Sequence, residues 1–167
     1  MKNSGRSLKR RLSLIGNKIS RAKHFRGYGV HSPFVYGLVR KVFMSKALFE
    51  GTGTELFDAL RKEGFSEKRA RQLHNTMYYA EAKSFSINSV EAEFAVLTRD
   101  VGIEDLRRGY EEAKIKGAVL VIGRPYHTRE RQAEVRAMIE AHTSTSVDNR
   151  SYIIFFNNRL PKQHYRL

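Results

Sequence analysis

The sequence predicts an α/β fold in which strands and helices alternate through the second half of its 167 residues. Three observations carry that prediction. At 117–126, GAVLVIGRPY sets five consecutive aliphatic residues, Ala118 to Ile122, between two glycines, the pattern of a short strand buried on both faces. Segments of helical period, 103–116 and 128–142, flank it, as in sheets covered by helices on both sides. Near 82–84 the chain changes from helical segments to alternating strands and helices. The 117–123 strand is therefore expected to be central.

Composition narrows the class. Hydrophobic residues make up 41% and charged residues 29%, which argues against global disorder. Cysteine is absent, so disulfides and cysteine-ligated metals are excluded. No apolar run approaches the roughly 20 residues that cross a bilayer, and the N-terminal stretch lacks the apolar core of a signal peptide. A cytoplasmic protein is the expectation. The net charge of +14 is concentrated early, because residues 1–50 hold twelve Lys/Arg against one acid, Glu50. Such asymmetry points to a polyanion, nucleic acid or anionic lipid, or to a solvated basic helix with acidic partners in the fold.

In chain order, Leu8, Leu12, Ile15, Ile19 and Ala22 recur on one helical face. Lys9, Arg10, Arg11, Lys18, Arg21, Lys23 and Arg26 mostly lie off that face and are the candidate polyanion contacts. The same stripe would equally serve to dock the helix on its own domain. In RGYGVHSPF at 26–34, Ser32 and Pro33 fit the N-cap and first position of a helix running to about Leu48. His31 beside them is a ligand or base candidate, or a capping histidine. GTGT at 51–54 has no preceding strand and no Lys-Ser/Thr, so it is no phosphate loop. Thr54 instead starts a helix over 55–62, Gly64 ends it, and Ser66 starts another over 67–81 with Ala70, Leu73, Met77 and Ala80 inward. His74 beside that stripe is a packing residue. Strands are predicted at 85–87, 94–98, 117–123, 143–147 and 151–156, the last two separated by the turn chemistry of Asp148-Asn149. Residues 157–167 form a polar, basic tail. The predicted organisation is a basic helical region over 1–82 and an α/β domain over 83–167, packed as one compact unit.

Two segments carry a family resemblance. RGYGVHSPFVYGLV at 26–39 resembles the N-terminal helical signature of a bacterial family of class I S-adenosylmethionine-dependent methyltransferases. SYIIFFNNRLPKQHYRL at 151–167 resembles that family's last strand and basic tail. The resemblance implies that 83–167 is a methyltransferase-like domain, with a partial Rossmann-like methyltransferase sheet of about five strands and the 151–156 strand antiparallel between its two predecessors. It also implies a methyl-donor site, which needs a strand running into a Gly-x-Gly turn and a second strand ending in an acid. This chain departs there: only Gly51 and Gly53 have the spacing, and they lie between helices. The 49–93 stretch is too short for the two βα units of a cofactor half.

Strand carboxyl ends gather ligands in such sheets. They offer Thr98, Gly123, Arg124 and Tyr126 as ligand-binding candidates and Asp100 with His127 as an acid–base pair. The six histidines have no metal-ligand spacing, and no cofactor is expected. The leading expectation is a methyltransferase-like protein that does not methylate and acts as a binding or scaffold module. The alternatives are an active S-adenosylmethionine-dependent methyltransferase, a nucleic-acid-associated protein acting through its basic helix, and the partner protein of a full-length methyltransferase.

Overall fold

The computed structural model describes residues 32–157 and 160–167. The predicted basic helix, its seven candidate polyanion contacts and His31 lie outside the described residues. Among those described, the chain forms a six-stranded mixed sheet with helices on both faces. Strands β1 (Phe85–Ile87), β2 (Phe94–Leu97), β3 (Val119–Gly123), β4 (Thr145–Asp148), β5 (Tyr152–Phe155) and β6 (Gln163–Arg166) lie in the order β1-β2-β3-β5-β4-β6. All run one way except β5, which is antiparallel to both its neighbours, β3 and β4.

The first helical layer begins at Ser32, whose hydroxyl accepts the Val35 N–H at 3.3 Å, with Pro33 as the first helical residue. Helix α1 (Pro33–Gly37) passes directly into a π-helical stretch, Leu38–Phe43, and stops there rather than continuing to Leu48. The chain turns because Ser45 bonds the Ala47 carbonyl, while Asn75 holds Ala47 and Phe49 from across the layer. Helices α2 (Glu55–Lys62) and α3 (Glu67–Tyr79) meet at Gly64, where φ of +79° suits glycine. Thr54 and Ser66 stand at their N-caps, yet neither side chain caps the helix; the Thr54 hydroxyl donates to Asp58 instead. Helix α3 ends at Tyr79, two residues short of its predicted end, and Glu81 takes a positive φ.

Helix α4 (Ile103–Lys116) has the predicted bounds and closes on Gly117 in the left-handed region. Helix α5 (Arg129–Ala141) starts at Thr128, whose hydroxyl accepts the Arg131 N–H. These two cover the opposite face of the sheet.

Strand alternation separates two cores. Phe94, Val96, Val119, Val121, Val147, Tyr152, Ile154 and Phe156 face Val35, Leu38, Val42, Leu56, Leu60, Leu73 and Met77 of the first layer. Ala95, Leu97, Leu120, Ile122, Ile153 and Phe155 face Leu106, Tyr110, Ala113, Val135 and Met138 of α4 and α5. The helices of 33–79 thus share a core with the sheet.

One strand exceeds the expected count of about five. The tail folds back as β6 beside β4, parallel to it. Its sequence, QHYR, shows no apolar alternation because an edge strand of this kind is held chiefly through its backbone. Side chains help too: Ser146 Oγ lies 2.9 Å from His164 Nδ1, the Thr145 hydroxyl donates to the Pro161 carbonyl, and Tyr165 and Leu167 pack against the first core. The parallel link from β1 to β2 is also unusually short, only residues 88–93. Six residues can reach roughly 20 Å when extended, enough to return along a three-residue strand.

Candidate functional site

The carboxyl ends of the parallel strands are the site to test. The β2 and β3 ends are joined by a side chain of α5. Arg131, only 2% exposed, donates to the carbonyls of Thr98 at 2.8 Å, Val101 at 2.9 Å and Gly123 at 3.2 Å. Burial pulls its guanidinium below the ordinary range, and the charge of Asp100 opposes that shift. The cation therefore fills the opening between two strand ends with a group that satisfies carbonyls left over by the sheet.

Other groups at these strand ends are engaged as well. Asn88 takes φ of +60°, its N–H bonds Val96 O, and its side-chain oxygen accepts the Thr98 N–H at 2.9 Å. Gly123 lies under Phe65, whose ring carbon would come within 3.1 Å of an added Cβ. Over β5 and β4, Arg69 donates to Gln72 and Asn149, both at 2.8 Å, and lies 5.7 Å from the Tyr152 ring centre. Asn149 Nδ2 donates to the Tyr152 hydroxyl at 2.8 Å, which donates to Gln72 at 3.0 Å. Burial pushes the Tyr152 phenol far up, so it stays a neutral donor. The first helical layer thus ties down the strand ends through polar groups as well as packing.

Of the candidates named from sequence, Thr98 and Gly123 come together, as joint acceptors of Arg131. Tyr126 donates its hydroxyl to the buried Asp148. Arg124 is exposed with φ of +50°, and its N–H bonds Ser151 O. Asp100 and His127 are both exposed; Asp100 pairs with Arg99 at 3.3 Å, and no hydrogen bond or ion pair among the described residues joins it to His127. Sequence reasoning missed Arg131, Phe65 and the Arg69–Gln72–Asn149–Tyr152 network. One signal was there: Arg131 shares a helical face with Val135 and Met138, so a cation stands on the apolar stripe where only a bonded one can be buried.

Beside β1 and β2 lies a cleft of about 440 Å³ lined by Asn88, Glu91, Asp100, Asp105, Arg108 and Glu112. Arg108 is paired with Asp105, so this end of the edge is acidic. No group of three or more His, Asp or Glu among the described residues is placed to hold a metal. No described helix is long and apolar enough to cross a membrane.

Two histidines are buried away from the strand ends. The Thr52 hydroxyl donates to Phe49 O at 2.6 Å, so at 3.0 Å it accepts from His74 Nε2. That leaves Nδ1 unprotonated, buried and without a partner. Burial lowers the His74 pKa, against the charges of Glu55 and Asp58. His142, 1% exposed, is lowered by burial and by Lys114 and Lys162, against hydrogen bonds with the Phe156 and Thr145 backbone. A folded-state pKa below the unfolded one means that the unfolded chain binds the proton first. Stability should therefore be full above about pH 6.5 and fall as pH drops toward the lowered folded values. Urea midpoints at pH 7.5, 6.5 and 5.5 check this, with the decline shallower in His74→Gln; a flat series excludes it.

Comparison with known proteins gives no family: no family model, no curated protein and no solved structure matches this chain.

Proposed function

We propose that the chain is a methyltransferase-like protein that does not methylate and serves as a binding or scaffold module. The observation that carries this reading is the Arg131 guanidinium bonded to the Thr98, Val101 and Gly123 carbonyls. An open α/β sheet that binds a nucleoside leaves backbone groups at its strand ends for the ligand. Here Arg131 occupies the Thr98 and Gly123 carbonyls, the Asn88 side chain accepts the Thr98 N–H, and the Phe65 ring covers Gly123. The residues present therefore do not fit S-adenosylmethionine, whose positively charged sulfonium would also meet the Arg131 charge.

Kinship with class I methyltransferases rests on the two terminal segments and is supported by β5, which lies antiparallel between β3 and β4 as the resemblance implies. Calorimetric titration with S-adenosylmethionine is expected to give no saturable heat. Saturable binding would reinstate the enzyme reading, with residues 117–127 as the place to look.

A further inference from the structure

The ladder registers align Leu97, Ile122, Ile153, Asp148 and Arg166 at one level across β2, β3, β5, β4 and β6. Two residues beyond that level, three of these strands end in an arginine: Arg99 after β2, Arg124 after β3 and Arg150 after β4. With Arg166 on the level itself, every same-direction strand from β2 onward presents an arginine at one edge, and all four are exposed. At about 4.8 Å per strand step, the row from Arg99 to Arg150 spans roughly 15 Å.

Two acids stand within two residues of the row. Asp100 pairs with Arg99, and Asp148 is fully buried, accepting from Tyr126 and from the Arg150 N–H at 2.7 Å. No acid among the described residues forms an ion pair with Arg124, Arg150 or Arg166. The positive charge is therefore concentrated over β3 to β6, away from the acidic cleft beside β1.

The backbone adds an independent observation. Arg124 has φ of +50° and Arg150 has φ of +56°, a region in which glycine is free and a side chain with a Cβ is strained. Arginine at two such turns is a residue choice that the fold itself disfavours, and strain of this sort gathers at functional positions.

From this row we infer a binding ridge for the phosphodiester backbone of single-stranded nucleic acid, with Arg124, Arg150 and Arg166 as the phosphate contacts. Guanidinium groups suit phosphate oxygens because they donate two parallel hydrogen bonds. Two half-buried aromatic residues lie nearby, Tyr126 two positions along from Arg124 and Phe65 over Gly123, and rings of this kind are what bases stack on in single-strand sites. A membrane surface fits less well, since the exposed large hydrophobic residues described are Tyr36, Met44 and Ile115, none of them in these loops. The inference deepens the scaffold reading by naming its partner, and S-adenosylmethionine calorimetry tests that reading separately.

The test uses the full chain, a fluorescein-labelled 12-residue oligouridylate and anisotropy at 50 and 200 mM salt. Arg124→Gly with Arg150→Gly should weaken binding roughly tenfold at the lower salt. The slope of log affinity against log salt should fall by about 1.4, at roughly 0.7 per single-strand phosphate contact. The thermal midpoint should stay level or rise, because glycine relieves both turns. A charge-matched control, Arg108→Gln with Arg136→Gln on exposed faces of α4 and α5, should keep the parent slope. Equal losses in the two double variants, an unchanged slope in the ridge variant, or binding to phosphatidylserine vesicles but not to the oligonucleotide would each overturn the inference.

Discussion

Arg131→Met is expected to lower the unfolding free energy by about 3 kcal/mol, as when one partner of a buried, hydrogen-bonded charge is removed. The methionine keeps most of the aliphatic stem, so packing of α5 against the strand ends changes little. What is lost are the three bonds to Thr98, Val101 and Gly123. Each carbonyl left without a partner in a buried setting costs about 1–3 kcal/mol, less where water reaches it. Removing the guanidinium also removes its own desolvation cost, and that is why the expected figure stays below the sum of three lost bonds. Arg131→Lys should recover only part, since one ammonium does not match carbonyls on two strands and a loop with a fixed fork. Urea unfolding with unchanged m-value measures it; a loss under about 1 kcal/mol would make Arg131 a bystander. The same variant examines the proposed function. If the opened strand ends then take up S-adenosylmethionine, the arginine is what keeps the methyl donor out.

Much of this architecture was legible in the residues because it rests on local pattern. Helix α4 was bounded to the residue by apolar period at one end and Gly117 at the other. The aliphatic run at 118–122 marked a strand with neighbours on both sides and helices on both faces, and β3 sits there. What sequence did not reveal was set by tertiary contact. The helix starting at Pro33 shows no glycine or proline between Gly37 and Leu48, yet Asn75, far along the chain, draws residues 47 and 49 out of helical geometry. QHYR has no strand signature of its own and becomes β6 because β4 offers a free edge.

The site was less legible than the fold. Thr98 and Gly123 were found because strand ends are positions that a topology rule picks out. Their partner Arg131 was not, because an arginine in the first turn of a helix usually faces water. The arginine row needs strand register to be seen, since Arg99, Arg124, Arg150 and Arg166 are unrelated in spacing along the chain.

Phe155→Ala should cost about 4 kcal/mol, within the range for deleting a buried ring. Phe155 lies on β5, fully buried, opposite Leu120 on one side and Ser146 on the other. Its ring meets Tyr110 edge-on at 5.3 Å and His142 at 5.0 Å, contacts that add to area burial. Tyr110 in turn donates to the Met138 carbonyl at 3.0 Å, which links α4 to α5. Burial pushes the Tyr110 phenol up to about 12, so that bond persists through neutral pH. A hole at Phe155 therefore loosens the joint between both helices of the second layer and the strand that reverses the sheet. Tyr165→Ala on the edge strand β6 removes an aromatic ring too, but a half-buried one, and should cost about 1 kcal/mol. Urea midpoints of the two variants, compared at pH 7.5 where both buried histidines are neutral, read out the difference. If Tyr165→Ala proved as costly as Phe155→Ala, the stability of the sheet would lie at its edge and not in the strand that runs against the rest.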